Sequence, residues 1–275
     1  MRAEDVARSL QSRPMSWSSL GAQFCLELSF GVLVTLAFVA RAPLGTFFFR
    51  AMGGTALVTM LAALGISYGV GERAWSDPRG LGAVVACALW PVYTGPVRAR
   101  TREIALIAAS LACTCSLALE VRTNAAIEGL WPWAVASFSV FTTGLVGGSV
   151  GLAMVFGHWY LTVPTLDVAW LVRLNKLTML WMALSCVALA AMFMVFGEPL
   201  RARDVDLLGP WALFHIGTRV AVGLLVPLVF GGMVAQSLRY KNTRSATGIL
   251  YASTVLVLIG TAVSLYLQDS YGVPL

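Results

Sequence analysis

The chain has 275 residues, 58% of them hydrophobic and only 12% charged, with a formal net charge of +6 and a mean hydropathy of +0.79. Soluble domains carry about 25% charged residues, so this composition leaves too little polar surface to coat a water-soluble globule. The positive excess requires no nucleic acid, because basic residues beside membrane spans serve orientation and attract anionic headgroups, at about 1 kcal/mol each.

Residues 1–20 read as a short polar tail. Arg2, Arg8 and Arg13 alternate with Glu4, Asp5, Gln11 and Pro14, and the apolar core of a cleavable signal is not there. Eight apolar blocks follow, near 21–40, 51–70, 80–97, 104–119, 132–156, 177–196, 210–235 and 247–267. Each approaches the ~20 apolar residues needed to cross a hydrocarbon core of ~30 Å. The third is the weakest, since Pro91 and Pro96 interrupt it. Continuously apolar runs such as Val255 to Ile259 do not alternate as lipid-facing barrel strands do, so the blocks are helices. The prediction is an all-α, polytopic transmembrane helix bundle of about eight spanning helices. It forms one integral membrane domain over residues 1–275, with no loop long enough for a separate catalytic unit and no visible internal repeat.

The first block contains Glu27, an ionisable group that costs at least ~2.5 kcal/mol at the centre of a span and therefore needs a reason. The five cysteines, Cys25, Cys87, Cys113, Cys115 and Cys186, all fall inside blocks and read as small packing residues. Cys113 and Cys115 are two apart on a helix, which points them about 200° from each other and excludes joint chelation of one ion.

The fifth block carries two overlapping Gly-x-x-x-Gly pairs, Gly144/Gly148 and Gly147/Gly151, which suit close approach of another helix within the chain. It ends in Gly157-His158-Trp159-Tyr160-Leu161-Thr162-Val163-Pro164, followed by Asp167, Trp170, Arg173, Asn175 and Lys176. Trp and Tyr at a membrane end usually form an aromatic belt. The density of polar groups also fits a partner or headgroup site made of His158, Trp159, Tyr160, Asp167, Trp170 and Arg173.

The seventh block holds His215 and Arg219, four residues apart and on one helix face. Counted from the same membrane side, Glu27 and Arg219 lie at depths differing by ~5 Å. One buried cluster of Glu27, His215 and Arg219 is expected, serving either as a structural ion pair or as a quinone and proton site. Pro227 and Gly231-Gly232 are expected to kink this span. Beyond it, the polar stretch from Gln236 to Thr247 reads as a loop, with Ser245 or Thr243 capping the last span.

Eight spans put both termini on one side, here end A. End B then carries 10 Lys and Arg residues against 8 at end A, with dense clusters at Arg98–Arg102 and Arg239–Arg244. Those clusters favour end B as cytoplasmic and both termini as periplasmic, in a bacterial cytoplasmic membrane. His158 and His215 fall at opposite ends, which argues against a haem between them and against a histidine-only metal site, although a His plus Met pair stays open.

Walker, Gly-x-Ser-x-Gly and His-Glu-x-x-His motifs are missing from the sequence, so nothing favours nucleotide hydrolysis, serine catalysis or zinc proteolysis. About eight helices, minimal loops and a buried His/Arg/Glu set look like the membrane-anchor subunits of respiratory oxidoreductases, an architectural analogy. It implies a non-catalytic or quinone-site subunit of an oxidoreductase, contacting quinone or relaying protons within a hetero-oligomeric complex in the lipid bilayer. A small-solute or ion transporter and a purely structural subunit are the alternatives.

Overall fold

A computed structural model describes residues 17–69, 76–122, 127, 129–163, 166–201 and 209–275. The polar tail to residue 16 and several end-A charges (Glu72, Arg73, Glu128, Arg203, Asp204 and Asp206) lie outside the described residues, as does Pro164.

Every described element is helical. In chain order these are α1 (Trp17–Phe38), α2 (Gly45–Leu64), α3 (Leu81–Ala88), α4 (Trp90–Thr94), α5 (Ala99–Arg122), α6 (Leu130–Thr162), α7 (Ala169–Arg201), α8 (Pro210–Val220), α9 (Val226–Arg239) and α10 (Thr243–Tyr271). A π-helical turn, Gly65–Gly69, extends α2, and another, Ala221–Leu225, joins α8 to α9 into one rod. Seven helical rods among the described residues are long and apolar enough to span a membrane. The chain is an all-α, polytopic membrane-type bundle, in contact with lipid along its apolar flanks.

The third apolar block differs from the other seven. It folds as α3 and α4, of 8 and 5 residues, with a break at Leu89. Pro91 has no N–H to continue the ladder, and Gly95-Pro96 ends it. The broken helix still runs from one end of the bundle to the other. Gly80 N–H donates to the Tyr68 hydroxyl at end A (2.8 Å), while Gly53 at end B packs on Tyr93 and Thr94. Arg102 closes the broken end. Its Nε donates to the Tyr93 carbonyl at 3.2 Å, its Nη2 to the Gly95 carbonyl at 3.1 Å, and its guanidinium lies 4.1 Å over the Phe49 ring. Arg102 is thus buried, and supplies donors to carbonyls that a helix end leaves bare.

Helix α6 is the axis. Its 33 residues are about 50 Å long at 1.5 Å per residue, and α1, α5, α7 and α10 all pack on it. Small residues permit the closest approaches. A Cβ on Gly31 would fall 1.9 Å from the Gly144 carbonyl oxygen, and one on Gly148 would fall 2.2 Å from the Gly31 carbonyl carbon. The Gly144/Gly148 pair therefore joins α6 to α1 inside the chain, where removal of Cβ lets backbones meet without help from the hydrophobic effect. Gly223 in the second π-turn meets Gly260 of α10 in the same way. Hydroxyls add bonds between helices, as where Ser29 and Thr59 stand 2.6 Å apart across α1 and α2.

Apolar side chains face outward. Met194, Trp211, Trp131 and Phe47 are 69–84% exposed, the reverse of a water-soluble surface. Aromatic residues ring both ends, with Trp131 and Trp211 at end A and Tyr240 and Tyr251 at end B. Residue 242 caps α10: the Asn242 side chain accepts from Ser245 N–H at 3.0 Å, so the cap is Asn242 rather than the expected Ser245 or Thr243. Asn242 is the better cap because its carbonyl oxygen reaches N3 directly. At the other end of α10, Gly272 takes a left-handed φ of 72° and turns the chain back, so that Ser264 donates to the Leu275 carbonyl.

The candidate buried polar site

Helix α1 brings Gln23 and Glu27 onto one face, four residues apart, and Gln23 Nε2 donates to Glu27 Oε1 at 2.7 Å. Gln23 also forms a reciprocal amide pair with Gln268 of α10: Gln23 Nε2 to Gln268 Oε1 is 2.9 Å, and Gln268 Nε2 to Gln23 Oε1 is 2.8 Å. The beginning of α1 and the end of α10 therefore lie together at end A. Gln23 and Gln268, which the sequence did not single out, hold the carboxylate in place.

Arg219 enters from α8. Its Nη2 donates to Thr143 Oγ1 of α6 at 2.8 Å and to Ser185 Oγ of α7 at 3.3 Å. Thr143 in turn donates to the Ser139 carbonyl at 2.9 Å, which fixes its lone pairs toward the guanidinium. Glu27 and Arg219 are each only 2% exposed. Among the described residues no ion pair joins the two, and Glu27 Oε2, Arg219 Nε and Arg219 Nη1 have no hydrogen-bond partner. Trp90 Nε1, Tyr93 Oη, Ser137 Oγ and Trp181 Nε1 are also without a partner, but Glu27 and Arg219 are the ionisable side chains of spanning helices in that set, and most buried polar atoms are bonded. Arg219 stands next to the π-turn Ala221–Leu225, and a Cβ on Gly223 would lie 3.6 Å from Nη1.

His215 occupies a different environment. It is half-buried, its Nδ1 donates to the Trp211 carbonyl at 2.7 Å, and its ring lies 4.5 Å from that of Tyr266. Among the described residues it makes no hydrogen bond to Glu27 or Arg219. The structure brings two of the three expected residues together and seats His215 among aromatic rings nearby. A cavity of about 20 Å³, room for one water, opens at end A between Gln23, Ser67, Tyr68, Arg79 and Glu120. Arg79 is tied to Asp77, whose carboxylate holds the guanidinium pKa above its ordinary value.

The aromatic cluster at end B divides into separate tasks. His158 is exposed, with Nδ1 3.4 Å from the Tyr251 hydroxyl. Trp159 stacks on Phe47 at 5.8 Å and meets Phe48 edge-on at 5.4 Å. Tyr160 is buried and donates to the Asp167 carbonyl, while the Asp167 carboxylate accepts from Ala169 N–H at 2.9 Å and starts α7. Trp170 lies under the Arg173 guanidinium at 5.1 Å. His158 and His215 contact α10 at Tyr251 and Tyr266, fifteen residues and about 22 Å apart along the helix, so no single group bridges the two imidazoles. The cysteines are all free; Cys113 is buried against Met60 and Cys115 is exposed, as their spacing requires. Among the described residues no group of His, Cys, Asp and Glu could hold a metal ion. No protein-family model matches the chain, and the search of curated proteins returned no match.

Proposed function

We propose that the chain is an integral membrane subunit of an electron-transfer complex of respiratory type, in which Glu27 exchanges protons under the control of Arg219. One observation carries this reading: Glu27 and Arg219 are each 2% exposed, and each keeps hydrogen-bonding atoms without a partner among the described residues. A pair kept only for stability would be expected to satisfy itself, because leaving buried polar atoms unbonded costs about 1–3 kcal/mol each. Ionisable groups inside a membrane mark proton and substrate paths by default.

Gln23 supports a route from end A, since it bonds Glu27 and also lines the small end-A cavity. Burial favours proton exchange over direct quinone contact at Glu27. Quinone is then the carrier whose protons this site handles, held where the chain meets its partner subunits. Exposed His158 and the Phe47–Trp159 stack form the proposed partner face at end B. In this reading the complex sits in a bacterial cytoplasmic membrane with end B cytoplasmic, following the arginine clusters at that end.

A small-solute transporter is the second reading, favoured by the π-turn beside Arg219 and by the Gly223–Gly260 contact, where side chains do not block sliding. Purification from native membranes in mild detergent separates the two. Co-purifying redox subunits, together with quinone in an organic extract, support the first. A single colourless, quinone-free protein that catalyses uptake after reconstitution supports the second and removes the first.

A further inference from the structure

Helices α1 and α7 both pack on α6, and between the end of one and the start of the other they leave a cleft of about 420 Å³. That volume lies in the range of small-molecule sites. Its two cations come from the start of α7, and only apolar side chains line it beyond them. Trp170, Arg173, Leu174, Lys176 and Leu177 lie in its first turns and Leu180 beyond them, with Phe38 and Val39 at the end of α1 opposite. Arg173 and Leu180 are seven residues apart, about 10 Å along the helix, so the cationic part and the apolar part occupy successive depths.

We propose that this cleft binds one anionic glycerophospholipid, with its phosphate between Arg173 and Lys176 and an acyl chain along Phe38, Leu177 and Leu180. The proposal stands apart from the proton site and does not depend on it. Charge complementarity is the first support. No acid lines the cleft, and the two acids of end B are engaged elsewhere, Asp167 on the Ala169 N–H and Glu103 on Arg41. Arg173 and Lys176 have no carboxylate partner among the described residues, and the Trp170 ring 5.1 Å from Arg173 steadies the guanidinium at the mouth.

The setting decides the occupant. Phe38 is 57% and Leu180 50% exposed on the outer flank of a membrane-type bundle, where the surrounding medium is lipid. A phospholipid presents an anionic phosphate and an apolar chain in the same order as the lining. Basic pockets between spanning helices recognise such headgroups through the same chemistry.

Native mass spectrometry of the full chain in mild detergent, titrated with phosphatidylglycerol or phosphatidylcholine, provides the test. The expected result is a one-to-one phosphatidylglycerol adduct that persists under conditions that strip phosphatidylcholine. Removing two charges worth about 1 kcal/mol each predicts that Arg173→Gln/Lys176→Gln weakens the adduct roughly 30-fold. Arg239→Gln/Arg244→Gln, at the same end but outside the cleft, should leave it unchanged. Leu180→Trp fills the apolar part while keeping both charges, and should also remove the adduct; this variant carries the test if the charge pair misfolds. Equal loss in the Arg239/Arg244 pair, no preference over phosphatidylcholine, an adduct surviving Leu180→Trp, displacement by inorganic phosphate alone, or quinone retained in place of lipid would each overturn the assignment.

Discussion

Gly144 lies against the backbone of Glu27 so closely that a Cβ there would stand 2.6 Å from the Glu27 carbonyl oxygen. The next residue back on α6, Thr143, accepts the hydrogen bond from Arg219. One short stretch of α6 therefore sets both members of the buried site, one by packing and the other by bonding. Gly144→Ala should force α1 and α6 apart and cost about 1–3 kcal/mol, as overpacking does. Gly151 on the same helix has nothing within 4 Å of its added Cβ, so Gly151→Ala should be neutral or stabilise by about 0.5–1 kcal/mol through helix propensity. Thermal unfolding of the two purified variants in detergent, followed by tryptophan fluorescence, reads the difference directly.

If Glu27 and Arg219 are coupled through the site, their substitutions must be non-additive. Glu27→Gln alters the carboxylate that Gln23 bonds, and Arg219→Met removes the donors to Thr143 and Ser185; each should cost about 1–3 kcal/mol. The double variant should be more stable than the sum of the two losses implies, by about 0.5–3 kcal/mol. A double-mutant cycle on unfolding midpoints measures this, and strict additivity would mean that the two charges do not sense each other.

Arg102 is expected to matter for a reason that has nothing to do with orientation. Arg102→Met removes the donors to the Tyr93 and Gly95 carbonyls and should cost about 2 kcal/mol or more. Arg100→Met, on an exposed neighbour, should change stability by less than about 0.5 kcal/mol. Limited proteolysis at the α4–α5 turn should rise in the first variant alone.

At the start of α10, Asn242→Ala should cost about 1 kcal/mol by removing the cap, whereas Ser245→Ala keeps its backbone N–H and should cost little. The two variants differ by a measurable shift in unfolding midpoint.

Most of the helical architecture was legible because lipid imposes a simple rule: long apolar blocks must be helices. Glu27 and Arg219 were legible for the same reason, since a charge inside such a block stands out. Gln23 was within reach, four residues from Glu27 on the same face. Thr143 and Ser185 were not, because hydroxyls are common in apolar helices and usually bond their own backbone, so nothing in their local sequence marks them as partners of a distant arginine. His215 shows the limit of face arguments. It shares a helix face with Arg219, but a wide face meets several neighbours, and Tyr266 takes the imidazole. Arg102 misled in the other direction: its place in a basic cluster suggested the membrane surface, while the broken helix before it needed donors.

Quinone-dependent electron-transfer turnover in native membranes carrying Glu27→Gln, with assembly of the complex verified on the same membranes, tests the central proposal most directly. Loss of a positioned proton-exchanging group predicts assembled complex with turnover reduced about 100-fold or more. Turnover equal to that of the unaltered chain, in fully assembled complex, contradicts a proton-exchanging role for Glu27.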